Sequence, residues 1–205
     1  MGAKTGLLLR STADAAEVFR TRPALDKDAC RDLLPRLYPE ATLTEMGDGD
    51  LGECAYPSEG LVYIGCYPGV EIIADRQVVV DLPSTLPSRF VAKDGRNTYL
   101  HAMHSVTDWL AMGVWHDGTL IRSLSVAPDS GVMEDIGDPL PFETPFWSGE
   151  HPVEQLDLED DAYPLPFHPL ELGEEALESF FGFRVEGYPT DIDPFDIPLM
   201  GFRVD

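Results

Sequence analysis

The stretch "YLHAMHSVTDWLAMGVWHDGTLIRSLSV", residues 99–126, decides the fold, because its histidines change neighbours with the period of the backbone. It holds three of the chain's five histidines and two of its three tryptophans. Wound as a helix, it lines up Tyr99, Met103, Val106, Leu110 and Gly113 as an apolar stripe. His101 and His104 then sit three apart, with Asp108 one turn further on, which is a metal-ligand arrangement. Extended as a strand, the same residues separate, because an odd spacing puts the two imidazoles on opposite faces. The strand is preferred. "TYL" opens with β-favouring residues, Ser105 to Asp108 supply turn formers, and Asp117-Gly118 joins two strand-like runs as a favoured hairpin pair. Whichever histidine faces the core is expected to be hydrogen-bonded, at a cost of about 1–3 kcal/mol if that partnership is lost.

Outward from the hairpin, "GAKTGLLLR" reads as a first strand at a domain edge or start. "STADAAEVFRTR" reads as a short helix capped by Ser11, Thr12 or Asp14. "LDKDACRDLLPRLYP" repeats Leu25, Ala29, Leu33 and Leu37 near the helical period; Pro35 should kink or shorten it and Pro39 should stop it. "LVYIGCY" and "QVVVD" read as buried strands, with "YPGVEIIAD" between them as a turn and a short irregular or helical piece. "LPSTLPSRF" reads as a proline-punctuated connection with one helical turn after Ser84. Beyond residue 128 the texture changes, and ten of the eighteen prolines fall at 139 or later. These segments should run extended over the sheet. "HPVEQLDLEDDAY" reads as an exposed acidic loop and "PLELGEEALESFFGF" as a helix ending near Gly182. The tail after it should pack by its Phe and Met residues without regular structure. The fold expected is α+β, a mainly antiparallel sheet with helices on one side, the hairpin at its centre and Pro-rich extended C-terminal segments. A single domain over 1–205 divides into a strand and helix core, 1–127, and an acidic covering segment with one helix, 128–205.

Thirty-seven acids against fourteen bases give a formal charge of −23. Between Arg122 and Arg184 there is no Lys or Arg, while fifteen Asp or Glu occur. Such a surface repels phosphate backbones, so direct nucleic-acid or anionic-membrane binding is disfavoured and a basic protein partner is the natural complement. Acidity that only aids solubility, or adapts the chain to salt, is the plainer alternative. The longest plain apolar run near the start, Leu7 to Leu9, is far short of a bilayer span or a signal core, and a cytoplasmic location is expected. Cys30, Cys54 and Cys66, odd in number and far apart, fit free thiols.

No motif names a reaction. "MGAKTG" lacks the preceding strand and spacing of a phosphate-binding loop, "GDGDLGE" and "DLEDDAY" lack the EF-hand ligand order, and no zinc-hydrolase signature is present. The candidate metal set is His101, His104 and Asp108; no catalytic residue and no cofactor is assigned. "GVMEDIGDPLPFE" gathers Glu134, Asp135, Asp138 and Glu143, which could do acid–base work if burial splits their pKa values, or could be solvated surface acids. A pocket lined by Tyr99, Trp109, Trp115 and Phe142, with Glu134 and Asp135 nearby, would suit a small-molecule sensor; such aromatics more often form core.

The strings "MGAKTGLLL", "LVYIGCYPGVEIIADRQVVVDLPSTLP", the 99–126 stretch, "GVMEDIGDPLPFE", "GEHPV", "YPLPFHPLELGEEALESFFGF" and "EGYP" resemble an actinobacterial family of uncharacterised proteins over nearly the whole chain. The resemblance implies a GC-rich host and a cytoplasmic setting, in keeping with the scarcity of Lys and Asn, and carries no activity. The hairpin more loosely resembles small α+β immunity or regulatory proteins. The function expected is that of a non-enzymatic binding or regulatory protein with an acidic surface for a basic partner. The alternatives are a metal-dependent hydrolase built on His101 and His104, or a small-molecule sensor.

Overall fold

The computed structural model describes residues 3–153 and 163–205. Ten strands form one antiparallel sheet: β1 (Lys4–Ser11), β2 (Leu43–Glu45), β3 (Gly49–Asp50), β4 (Leu61–Tyr67), β5 (Val70–Asp75), β6 (Asn97–His104), β7 (Trp109–His116), β8 (Thr119–Ala127), β9 (Gly131–Ile136) and β10 (Pro198–Val204). Their spatial order is β2-β10-β4-β5-β1-β6-β7-β8-β9, with β3 paired to β10. The helices are α1 (Ala15–Arg20), α2 (Lys27–Leu37), α3 (Leu51–Cys54), α4 (Thr144–Trp147) and α5 (Pro169–Phe181).

The 99–126 stretch is a pair of hairpins, as its strand reading requires. β6 turns through Ser105–Asp108 into β7, and Asp117-Gly118 joins β7 to β8 with positive φ at both residues (47° and 81°). That left-handed pair matches the twist of the flanking strands. The hairpin lies toward one edge, however, and the centre belongs to β1. Leu7, Leu8 and Leu9 are buried without alternation, because neighbours cover both faces of this strand. A sequence start is therefore not a spatial edge here.

The helices pack on both faces of the sheet, not on one. Leu33, Leu34 and Leu37 of α2 join Leu8, Ile64, Ile73, Leu100, Met200 and Phe202. On the other face Leu172, Ala176, Leu177 and Phe180 of α5, with Ala15 and Phe19 of α1, meet Leu7, Leu9, Ile72, Met103, Leu110, Met112 and Leu124. An amphipathic stripe shows that a helix needs cover but not which side of a sheet supplies it. α1 is capped by Asp14, whose carboxylate accepts the Glu17 amide. α2 runs through Pro35 to Leu37. α5 ends at Gly182 with φ 85°, the left-handed cap its sequence anticipates.

Three local expectations change. "VEIIAD" is β5, joined to β4 through Pro68-Gly69 with Gly69 at φ 73°. "QVVVD" is a 3₁₀ turn, Arg76–Val78, begun by the Asp75 carboxylate accepting the Gln77 amide. The tail becomes β10, between β2 and β4, with Pro198 at the strand's first residue, where its missing N–H does least harm. The region after 128 thus contributes two strands and two helices, α4 and α5, where one helix was expected. Most of the expected acidic loop, residues 154–162, lies outside the described residues. Cys30, Cys54 and Cys66 are buried free thiols. Among the described residues no helix is long and apolar enough to cross a membrane.

Near the β9 edge the sheet holds a buried ion pair. Arg122 and Glu143 are both fully buried and meet in a two-pronged contact, Nε to Oε1 at 2.9 Å and Nη2 to Oε2 at 2.7 Å. Nη1 of Arg122 also donates to Asp135 and to the carbonyls of Ile136 and Gly137. Glu143 accepts the Leu140 amide and the Trp147 indole N–H, so one carboxylate ties the proline-rich segment and α4 to the sheet. Breaking such a pair from one side strands a desolvated charge. Glu143→Gln should lower unfolding stability by about 3–5 kcal/mol in urea titration.

Candidate functional site

The strand geometry sends the candidate metal ligands apart. His101 is fully buried on the α5 face, its Nδ1 2.8 Å from the Thr5 hydroxyl and its Nε2 2.9 Å from the Gly173 carbonyl. A carbonyl only accepts, so the proton is on Nε2 and Thr5 donates to Nδ1. Gly173 lets α5 sit close to the sheet here: a Cβ would stand 2.7 Å from the Met103 sulfur, which would have to move. His104 emerges on the opposite face beside the Tyr56 ring. Asp108, in the β6–β7 turn with φ 46°, lies 3.6 Å from Nε2 of His168, the residue that caps α5. No group of three His, Cys, Asp or Glu side chains among the described residues is placed to hold a metal ion.

The pocket candidates are divided by the same sheet. Tyr99 and Phe142 both pack on Phe180 of α5, at 5.0 and 5.6 Å between ring centroids. Trp109 donates to the Ser125 hydroxyl on the α2 face, and Trp115 joins the α2 cluster. Glu134 accepts from the Ser84 amide and from the Ser84 and Ser123 hydroxyls, while Asp135 and Glu143 serve Arg122. Asp138 is exposed. Glu134, Asp135 and Glu143 are therefore engaged in fastening the β8–β9 edge, and the four aromatic residues form no common pocket.

A cavity of about 570 Å³ opens instead beside α5, against the segment that follows it. Glu171, Glu174 and Glu175 line it from the helix and Glu186 from the segment, with His151, His168 and Tyr188 at its walls. Glu174 builds the junction. Its buried carboxylate accepts the Val185 amide at 2.8 Å and the Glu186 amide at 3.1 Å. Burial raises its pKa above the ordinary carboxylate range, outweighing those two amides, which act the other way. Arg184, the lining's one Lys or Arg, is held by Glu175 and Glu178 on the helix. Glu171 and Glu186 are exposed and have no ion-pair partner among the described residues. His151 stacks on Phe146 at 4.2 Å, and the Tyr188 ring is 90% exposed, which leaves it free for a partner. The wall was readable in "PLELGEEALESFF", whose acids at 171, 174, 175 and 178 recur at three- and four-residue spacing and share a helix face. The contribution of Glu186 and Tyr188 depends on the turn after Gly182, which no local pattern specifies.

Fold and site together describe an antiparallel α+β protein with an acid-walled surface pocket. Residues 5–202 match the model of a family of unknown function, DUF6928, and the chain belongs to that family. Neither a curated protein nor a solved structure matches it.

The buried imidazole has a measurable consequence. Burial lowers the His101 pKa from its ordinary 6.5 to about 4, so the folded state resists a proton that the unfolded chain accepts. Its contribution to stability is therefore intact above pH 6.5 and is lost as pH falls toward 4, by about 3 kcal/mol. Urea midpoints measured from pH 7 to 4 should fall more steeply for the native chain than for His101→Gln, whose side chain does not titrate.

Proposed function

We propose that this chain is a non-enzymatic binding or regulatory protein whose acidic C-terminal face receives a basic protein partner, a Lys or Arg side chain entering the glutamate pocket beside α5. The observation that carries the reading is the charge balance of that pocket: four glutamates against one arginine that Glu175 and Glu178 of α5 already neutralise. A cation entering there meets the unpaired carboxylates of Glu171 and Glu186, and Tyr188 offers a π face for it. The base-free window from Arg122 to Arg184 adds to the chain's negative charge, which would steer a basic partner and lose effect as salt rises. The scarcity of Lys and Asn supports a GC-rich, actinobacterial host, and the family resemblance a cytoplasmic setting.

General acidity and a specific pocket are separated by a charge-matched comparison. Glu171→Gln/Glu186→Gln should weaken binding of a short arginine-rich peptide about tenfold at 0.15 M salt. Glu59→Gln/Asp138→Asn, which removes the same charge elsewhere, should change it by less than about twofold. Equal losses in the two double variants, measured by fluorescence anisotropy, would sink the pocket reading.

A further inference from the structure

A second cleft, of about 440 Å³, lies on the other face of the sheet, around residues that α2 does not cover. Strand register lays its base. Lys4, His104 and Trp109 are successive ladder partners across β1, β6 and β7, so their side chains leave the same face in a row. Val79 and Met133 close over Trp109 and Ala127.

The cleft is electrically polarised. At one end stands His104, whose ring meets Tyr56, a neighbour outside the lining, edge-on at 6.0 Å between centroids. The Arg76 guanidinium lies 4.2 Å from the centre of that same tyrosine ring, and the Lys4 ammonium 5.9 Å. Neither cation has a carboxylate within ion-pair distance among the described residues, although acids outnumber bases 37 to 14 in the chain. Nδ1 of His104 accepts the Val106 amide at 3.3 Å, which leaves the ring proton on Nε2, without an acceptor among the described residues. Burial, with repulsion from Lys4 and Arg76, holds this imidazole below its usual pKa, so at neutral pH it is an uncharged donor. The lining also carries two acids, Asp81 and Asp129, both exposed. Asp129 follows β8, two strands beyond β6, so the ends are roughly 10 Å apart, two inter-strand spacings.

We infer that this cleft binds an elongated zwitterion, with a carboxylate at Nε2 of His104 near Arg76 and Lys4, a flat apolar body against Trp109 and Met133, and an ammonium between Asp81 and Asp129. A net anion would be opposed by the charge of the whole chain, and a simple cation would leave His104, Arg76 and Lys4 without a counter-charge. A neutral molecule with separated charges meets neither penalty and satisfies both ends. The α-amino acids themselves are too compact, because their charges are only a few bonds apart; a ring between the charges supplies the span.

The probe is 4-(aminomethyl)benzoate, with benzoate and benzylamine as its two halves, followed by calorimetry and by NMR of the His104 ring. Saturable binding is expected, with the His104 titration displaced to higher pH by the bound carboxylate. Each half-molecule should bind about tenfold more weakly, the worth of one charge-assisted contact. Arg76→Gln and Asp129→Asn should each cost about tenfold as well, with amide spectra otherwise unchanged because both side chains lie outside the core. Absence of saturable binding, equal affinity for benzoate and the whole probe, or indifference to both substitutions would overturn the assignment.

Discussion

Both faces of the sheet are covered by helices and by the chain's own connections, and that double burial constrains everything else. Each residue of the central strand β1 beyond Lys4 is committed to one of two buried layers, so a one-residue slip would exchange the layers wholesale. Leu7 and Leu9 serve one layer while Leu8, between them, serves the other. Polar side chains inside such a sheet have no water to fall back on and must find partners within the protein. His101 is satisfied by Thr5 and Gly173, Thr98 accepts the Ala92 amide at 3.0 Å, and Arg122 is enclosed by Glu143, Asp135 and two carbonyls.

What could be read from the sequence was what short-range physics determines. Asp117-Gly118 announces its hairpin because few residue pairs accept two positive φ angles, and the alternation of β6 assigns His101 and His104 to different faces without reference to any other strand. Asp14 and Gly182 bound α1 and α5 by the same kind of local chemistry. The failures share a cause. "QVVVD" has the composition of a strand, but the Asp75 side chain bonds its own following backbone and winds the chain into a 3₁₀ turn. β10 pairs with β4 across more than 130 positions, and nothing within "PLMGFRV" announces that partner. Placement of β1 at the centre, and of α2 and α5 on opposite faces, likewise depends on long-range pairing.

The same limit governed the candidate sites. Glu134, Asp135 and Glu143 were visible as a carboxylate cluster, yet their employment depends on Ser84, Ser123 and Arg122. The α5 glutamates stand in a stretch legible as a helix. Their conversion into a pocket wall depends on the Glu174 carboxylate catching two amides eleven and twelve residues further along.

Charge also follows from the shortage of bases. With fourteen cations available, the chain places Arg122 at the centre of a buried knot and Arg184 as a brace on α5, which leaves Glu171 and Glu186 to define the sign of the pocket. Strand β6 connects this arrangement to the opposite face. One of its imidazoles, His101, anchors α5 at Gly173, the residue before Glu174; the other, His104, stands three positions on, among Tyr56, Arg76 and Lys4. The odd spacing that prevents the two rings from sharing a metal ion is thus what lets a single strand fix the geometry of an acidic recess on one side and a polarised cleft on the other. Shifting β6 by one residue would exchange the faces of His101 and His104 and remove the anchor beneath α5, so both recesses depend on the same register.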